Sequence, residues 1–313
     1  MLFETSSAVP APVPRGARVA VIAPAGPVRP ERLEHGCALL RGLDLEPVLG
    51  RHLLGPVSGY LAAEDRQRAA DLEEAWTDPD IHAVLCAHGG YGSVRMLDLL
   101  DWDRMARAAG GRPTRAKPFV GSSDVTALHR AFALRLGVRT HYGPVVAGPI
   151  LGAPDPCPVT VRSFAGALFS PEEPVELSGG RCVVPGRGEG TTLGGTLSLI
   201  CSLAGARESG SAAGAVVLLE DVKEGPYRID RMLTQLVRSG WFAGARAIAC
   251  GSWEACGPAE EIDAILADRL GGLGVPVVTG LPFGHGPTQS TVPLGAHAVL
   301  DAVSGVLRVD PRR

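Results

Sequence analysis

Apolar positions along the 313-residue chain follow two alternating rhythms. Short unbroken apolar runs occur at ARVAVIA (17–23), EPVL (46–49), IHAVLCA (81–87) and FVG (119–121). Runs of this length predict strands covered on both faces. Between them, RPERLEHGCALLRGL (29–43), LAAEDRQRAADLEEAW (61–76), a segment near 93–107 and the stretch after Ser123 repeat apolar residues at helical spacing. Such alternation predicts an α/β fold, with an N-terminal, mostly parallel sheet flanked by helices. Ligands bind such sheets beyond the carboxyl ends of the strands. The glycine-rich AHGGYG (87–92) and the turn GSSD (121–124) both follow strands, so both are expected to face one crevice.

From Gly148 the text becomes rich in Gly and Pro (GPILGAPDPCPV). This reads as a linker over 148–162, dividing an N-terminal domain (1–147) from a C-terminal domain (163–313). Beyond it come a short helix (VRSFAGALF), the Gly-rich GRGEGTTLGGTLSLICSLAG, a strand (213–220), the helix PYRIDRMLTQLVRSG, a strand (245–251) and the acidic helix AEEIDAILADRL. The closing apolar runs, separated by turn residues, predict antiparallel strands. The second domain is therefore expected to be smaller and mixed α/β.

Composition narrows the function classes. Hydrophobic residues at 45%, charged residues at 20% and a net charge of −3 are ordinary for a globular protein, and no Lys/Arg block argues for nucleic acid or an anionic membrane. The only lysines are Lys117 and Lys223. A Ser–Lys hydrolase would need one of them, and Lys117 sits at a strand's flank, which sets that scheme aside. The seven cysteines are scattered with no CxxC pair, so neither a disulfide framework nor a zinc cluster is expected, and no metal or cofactor is implied. The N-terminus lacks a basic segment before its short apolar run, and no stretch is long enough to span a bilayer. The reading is a soluble cytoplasmic protein.

Ser122 and Ser123 sit where a strand turns sharply into a helix. Such a turn holds a hydroxyl exposed above the sheet with backbone N–H groups nearby, or it simply uses a serine as N-cap. A nucleophilic serine needs a base, and the base needs an acid to fix its tautomer. Of eight histidines, His35, His52 and His82 fall on a polar helix face or near element ends and read as solvated, and His129 points down the helix away from the turn. His285, held between glycines in LPFGHGP after an apolar strand, is presented by a constrained loop, while His88 and His141 remain candidates for the substrate site. For the acid, Glu220, Asp221 and Glu224 end a strongly apolar strand, and strand alternation lets at most one of Glu220 and Asp221 look into a shared site. Asp124 is a poorer candidate, because its charge meets the start of a helix.

The ordered segments AHGGYGSVRMLDLLD, GSSDVTAL, LLEDVKEGPYRIDRMLTQL and LPFGHG resemble the LD-carboxypeptidase family of serine peptidases, which includes microcin-immunity peptidases. The resemblance covers nearly the whole chain. It implies a two-domain fold and a Ser–Glu–His triad in which Ser123, directly before Asp124, is the nucleophile, Glu220 the acid and His285 the base. Backbone N–H groups of Asp124 and Gly90 then suit an oxyanion hole. The implied activity is cleavage of an L,D-peptide bond, releasing the terminal D-amino acid of a murein tetrapeptide in peptidoglycan recycling, by an enzyme that is often a homodimer. Two rivals are a self-immunity peptidase acting on peptide–nucleotide conjugates, with Trp253 as an aromatic platform, and a catalytically silent binding module. Two positions depart from the family's habit: His88 stands where Arg is common, and Thr196 where Asn is common. A small peptide is the expected partner, with no nucleic acid and no membrane.

Overall fold

The structure is a computed structural model that describes residues 9–55, 59–108 and 116–313. In the first half, β1 (Arg18–Ile22), α1 (Pro30–Gly42), β2 (Glu46–Leu49), α2 (Asp65–Thr77) and β3 (Ile81–Cys86) alternate as the apolar runs predict. The helix α2 starts at Asp65, later than the periodicity suggests, because Glu64 forms a reciprocal capping box with Gln67. The helix expected near 93–107 is two pieces, a 3₁₀ turn (Ser93–Met96) and α3 (Trp102–Ala108). The break falls where Asp101 accepts the Arg104 N–H at 2.8 Å, a cap that starts a new helix. The strand β4 (Phe119–Gly121) then runs into a continuous helical segment, Ser123–Leu136, with α4 (Thr126–Ala131) at its centre, followed by β5 (Thr140–Tyr142).

The chain continues through α5 (Pro158–Phe169), β6 (Val175–Leu177), β7 (Arg181–Val184), β8 (Arg187–Thr196), α6 (Leu197–Ser202), β9 (Ala215–Val222), α7 (Pro226–Arg238), β10 (Ala247–Glu254), α8 (Ala259–Leu270), β11 (Val277–Thr279), β12 (Val292–Leu294), β13 (His297–Asp301) and β14 (Val306–Asp310). Among the described residues the strands form two sheets, ordered β12-β5-β4-β3-β1-β2 and β6-β14-β13-β8-β9-β10-β11-β7. The strands β1 to β5 are mutually parallel, as are β8 to β11, and the remaining pairings are antiparallel. Helices α6, α7 and α8 cover the second sheet, burying Ile229, Leu233, Leu236 and Leu266 against Val217, Leu219 and Ile248.

Two segments cross the boundary expected at 148–162. The helix α5 begins inside that range and packs Phe164 and Leu168, one helical turn apart, into the core of the first sheet beside Leu33 and Leu40. Leu151 is buried in the same cluster, so this stretch is part of the first core and not a free connector. From the far end of the chain, β12 returns to pair antiparallel with β5, joining His141 to Pro293 and Tyr142 to Val292. Alternating patterns reveal strands but not which sheet they join.

Candidate active site

Gly121 ends β4, Ser122 is still extended at φ −146°, and Ser123 turns to φ +63°. A non-glycine residue rarely adopts that left-handed conformation, and it persists only where neighbours hold it. Both backbone groups of Ser123 are held: its N–H donates to Tyr142 Oη at 3.1 Å, and its carbonyl accepts from Thr126 Oγ1 at 2.7 Å. Ser122 is buried and its side chain makes no capping bond, so the serines do not serve as a simple helix cap. The Asp124 carboxylate is turned inward with no exposure and accepts the Ser93 N–H at 2.7 Å. Burial raises its pKa, and the backbone hydrogen bond from Ser93 opposes that rise.

The AHGGYG loop lies against this turn. Gly89 packs so closely that a Cβ there would stand 2.8 Å from Ser123 Cβ and 3.0 Å from its Oγ, and 3.7 Å from Asp124 N. Gly90, at φ +102°, continues the loop. The Gly26 N–H donates to Gly89 O at 2.7 Å. From below, the buried guanidinium of Arg68 donates to Gly92 O at 2.9 Å and Ala63 O at 3.1 Å, and also to Pro24 O and Asp65. One buried cation thus ties this loop to the turn after β1.

Across the interface, β9 delivers Glu220 with no exposure at all. Its Oε1 accepts from Tyr142 Oη and from Thr196 Oγ1, each at 2.6 Å, and its Oε2 pairs with His285 Nδ1 at 2.6 Å. A carboxylate on Nδ1 assigns the proton to that nitrogen and leaves Nε2 as the acceptor. The His285 loop is fixed by Ser252 Oγ, which accepts the N–H groups of His285 (2.8 Å) and Gly286 (2.9 Å). Burial opposes protonation of His285, but the Glu220 charge and hydrogen bond, with help from Asp221 and Glu254, outweigh it and raise the pKa above its ordinary 6.5. Asp221 faces the other way, accepting the N–H groups of Ser198 and Val222 at 2.8 Å each, and burial followed by the Glu220 charge lifts it to about 6. Glu224 lies beyond the strand and pairs with Arg228.

The other histidines separate cleanly. His88 is half-buried near His285, and burial, then the charges of Arg32 and Arg29, hold its pKa low. His141 does not reach the site: it alternates with Tyr142 on β5 and so points to the opposite face, fully buried. His129 supports β4 through Gly121 O (2.9 Å) and Thr140 Oγ1 (2.8 Å). His52 is not simply solvated, because its Nδ1 pairs with the buried Asp71 at 2.8 Å. Trp253 is half-buried, packed against the core of the second sheet with its Nε1 buried. Lys117 donates to Ala75 O and Asp78 O, and burial lowers its pKa to about 8. Sequence reasoning missed Tyr142, Ser252 and Arg68. Alternation on β5 was the one usable signal, since placing His141 on one face puts Tyr142 on the other.

A glycine-pressed serine at a strained strand-to-helix turn thus lies two hydrogen bonds from a buried Glu–His pair on an α/β scaffold, a candidate site of the hydrolase class. The family model for the LD-carboxypeptidase N-terminal domain matches residues 19–143, and that for the LD-carboxypeptidase C-terminal domain matches residues 189–300. A putative carboxypeptidase of Streptomyces coelicolor is 51% identical over 305 residues, covering 96% of each chain. The crystal structure of a muramoyltetrapeptide carboxypeptidase from Oxalobacter formigenes superposes with a TM-score of 0.81 at 30% identity, covering 94% of this chain and 98% of that one. The microcin C7 self-immunity protein of Escherichia coli is 24% identical over 335 residues, 96% of this chain and 95% of its own. The chain belongs to the LD-carboxypeptidase family and is a peptidase. Among the described residues no helix is long and apolar enough to cross a membrane, and no cluster of three or more His, Cys, Asp or Glu is placed to hold a metal ion.

Proposed function

We propose that the protein is a serine carboxypeptidase that cleaves the L,D-peptide bond of murein tetrapeptides and releases the terminal D-amino acid, in the cytoplasm, as a homodimer. The observation that carries this reading is the 2.6 Å pairing of His285 Nδ1 with a fully buried Glu220, next to a serine held at φ +63°. Among the described residues Ser123 Oγ makes no hydrogen bond, so it is free to turn toward His285 Nε2 when substrate arrives, as catalytic contacts commonly tighten only in the complex.

Ser123 Oγ attacks the carbonyl carbon of the scissile bond while His285 Nε2 takes its proton. The charge on the former carbonyl oxygen is met by the N–H groups of Asp124 and Gly90. Collapse breaks the C–N bond, and the proton on Nε2 passes to the departing amine of the D-residue. A water molecule then gives its proton to Nε2, attacks the acyl-serine, and frees the shortened peptide as Ser123 recovers its proton. Glu220 stays charged throughout, stabilising the imidazolium through Nδ1–H.

Incubation with a murein tetrapeptide followed by mass spectrometry tests the reaction. The expected product is the tripeptide plus one D-amino acid with wild type and Ser122→Ala, and no product with Ser123→Ala. Turnover of a peptide–nucleotide conjugate in place of the tetrapeptide would move the substrate to the self-immunity class. An active Ser123→Ala would overturn the nucleophile.

A further inference from the structure

Two hydrogen-bond routes leave the backbone of Ser123 and meet at Thr196. On the first, the Ser123 N–H donates to Tyr142 Oη (3.1 Å), which stands 2.9 Å from Thr196 Oγ1 and 2.6 Å from Glu220 Oε1. On the second, the Thr196 N–H donates to Thr126 Oγ1 (3.1 Å), which donates in turn to Ser123 O (2.7 Å). Thr196 Oγ1 closes the figure at 2.6 Å from Glu220 Oε1. Close approach is secured by Gly195, where a Cβ would fall 2.5 Å from Thr126 Oγ1 and 3.1 Å from the Tyr142 ring.

The hydroxyls of Tyr142 and Thr196 carry one proton each. Three oxygen–oxygen contacts compete for those two protons, and only one proton fits between the two hydroxyls. In every arrangement, at least one therefore points at Glu220 Oε1. Burial and the Glu220 charge hold the Tyr142 pKa well above its ordinary value, so the phenol keeps its proton. A carboxylate without exposure depends on such donors to remain charged.

We propose that Tyr142 and Thr196 are positioning residues that bind the strained Ser123 turn of one sheet and the Glu220–His285 pair of the other into a single lattice. They set both where the nucleophile sits and how strongly Glu220 holds the His285 proton. The inference rests on the Ser123–Glu220–His285 reading above. Thr196, one of the two departures from the family's habit, is the node common to both routes.

The test compares Tyr142→Phe, Thr196→Val, Thr196→Ser and Ser123→Ala on one peptide. Tyr142→Phe keeps the ring and removes the donor. Its kcat is expected to fall about 10- to 100-fold with KM little changed, as for a misplaced reacting group. The acid limb of its kcat/KM profile should move up by about one pH unit, because a carboxylate with fewer donors holds the imidazolium proton more tightly. Asp221 and Glu254, which raise the His285 pKa, and His88 with Arg29 and Arg32 beside it, are untouched by these substitutions. Thr196→Val should shift the limb the same way, and Thr196→Ser should restore it. A lowered melting temperature in Tyr142→Phe and Thr196→Val with an unmoved acid limb and wild-type kcat would reduce the lattice to plain scaffolding and overturn the inference, while an inactive Ser123→Ala in the same series would leave the proposed reaction standing.

Discussion

Gly284 leaves no room for a side chain beside Glu220: a Cβ there would stand 2.6 Å from Glu220 Oε2 and 2.8 Å from Ser252 Oγ. Those two oxygens hold the His285 ring and the His285 backbone, and the glycine itself sits at φ +99°. Gly284→Ala should therefore displace the base, lowering kcat about 100-fold while circular dichroism stays native. Wild-type kcat in that variant would show that the Glu220–His285 geometry tolerates displacement.

Glu220→Gln and Asp221→Asn separate the two faces of β9. The amide at 220 can accept a hydrogen bond but cannot stabilise an imidazolium, and the equivalent change in another serine peptidase triad costs about 10⁴-fold in kcat. Asp221→Asn keeps an acceptor for the Ser198 N–H and should retain most of its kcat. Steady-state kinetics of both variants on one peptide decides the matter, and the reverse outcome would reassign the acid.

The pH profile should carry the His285 ionisation. His285 must be neutral to take the Ser123 proton, and its pKa lies above 6.5. Activity is thus expected to rise with pH through a midpoint above 6.5, and Asp221→Asn, by removing one negative neighbour, should shift that midpoint downward. A limb unmoved in Asp221→Asn and centred below 6.5 would contradict the charge arrangement around His285.

Stability should fall in mild acid for a different reason. Burial holds His129 and His141 neutral in the folded chain, with pKa values of about 4 against the ordinary 6.5. Between those values the unfolded chain takes up protons that the folded chain refuses, so stability declines as pH drops, by about 1.4 kcal/mol per pH unit for each histidine. His285, Asp221 and Asp124 work in the opposite sense and offset part of this decline, since a raised pKa adds stability at low pH that is lost as pH rises through it. Urea unfolding between pH 6.5 and 4.5 should show the decline, and His141→Leu should remove about one proton's share of the slope. An unchanged slope in that variant would mean His141 is not held neutral.

Much of this arrangement was legible in the sequence. Apolar runs marked β1, β3, β4 and β9, and the polar residues where they run out include Ser123 and Glu220. Alternation also separated Glu220 from Asp221. Periodicity gives the face of an element but not its partner across the fold. Tyr142 and Thr196 lie 54 residues apart on strands of different sheets, so their hydrogen bond exists only after two sheets have met, and His285 and Ser252, 33 apart, meet only once β10 and β11 have paired. The same reason hid the destination of β12, whose three residues read as a strand with no sign of which sheet they complete.

That strand has a consequence for how the protein can be made. A ribosome that has added His285 has already supplied Ser123, Glu220, Tyr142 and Thr196, yet it has not reached Val292–Leu294, the edge that pairs with the strand bearing Tyr142. The nascent chain holds its full set of reactive side chains before the sheet beneath them is complete. Final assembly of the site therefore waits until Val292–Leu294 has been translated, and a fragment ending just past His285 carries the chemistry in its sequence without the edge strand that frames it.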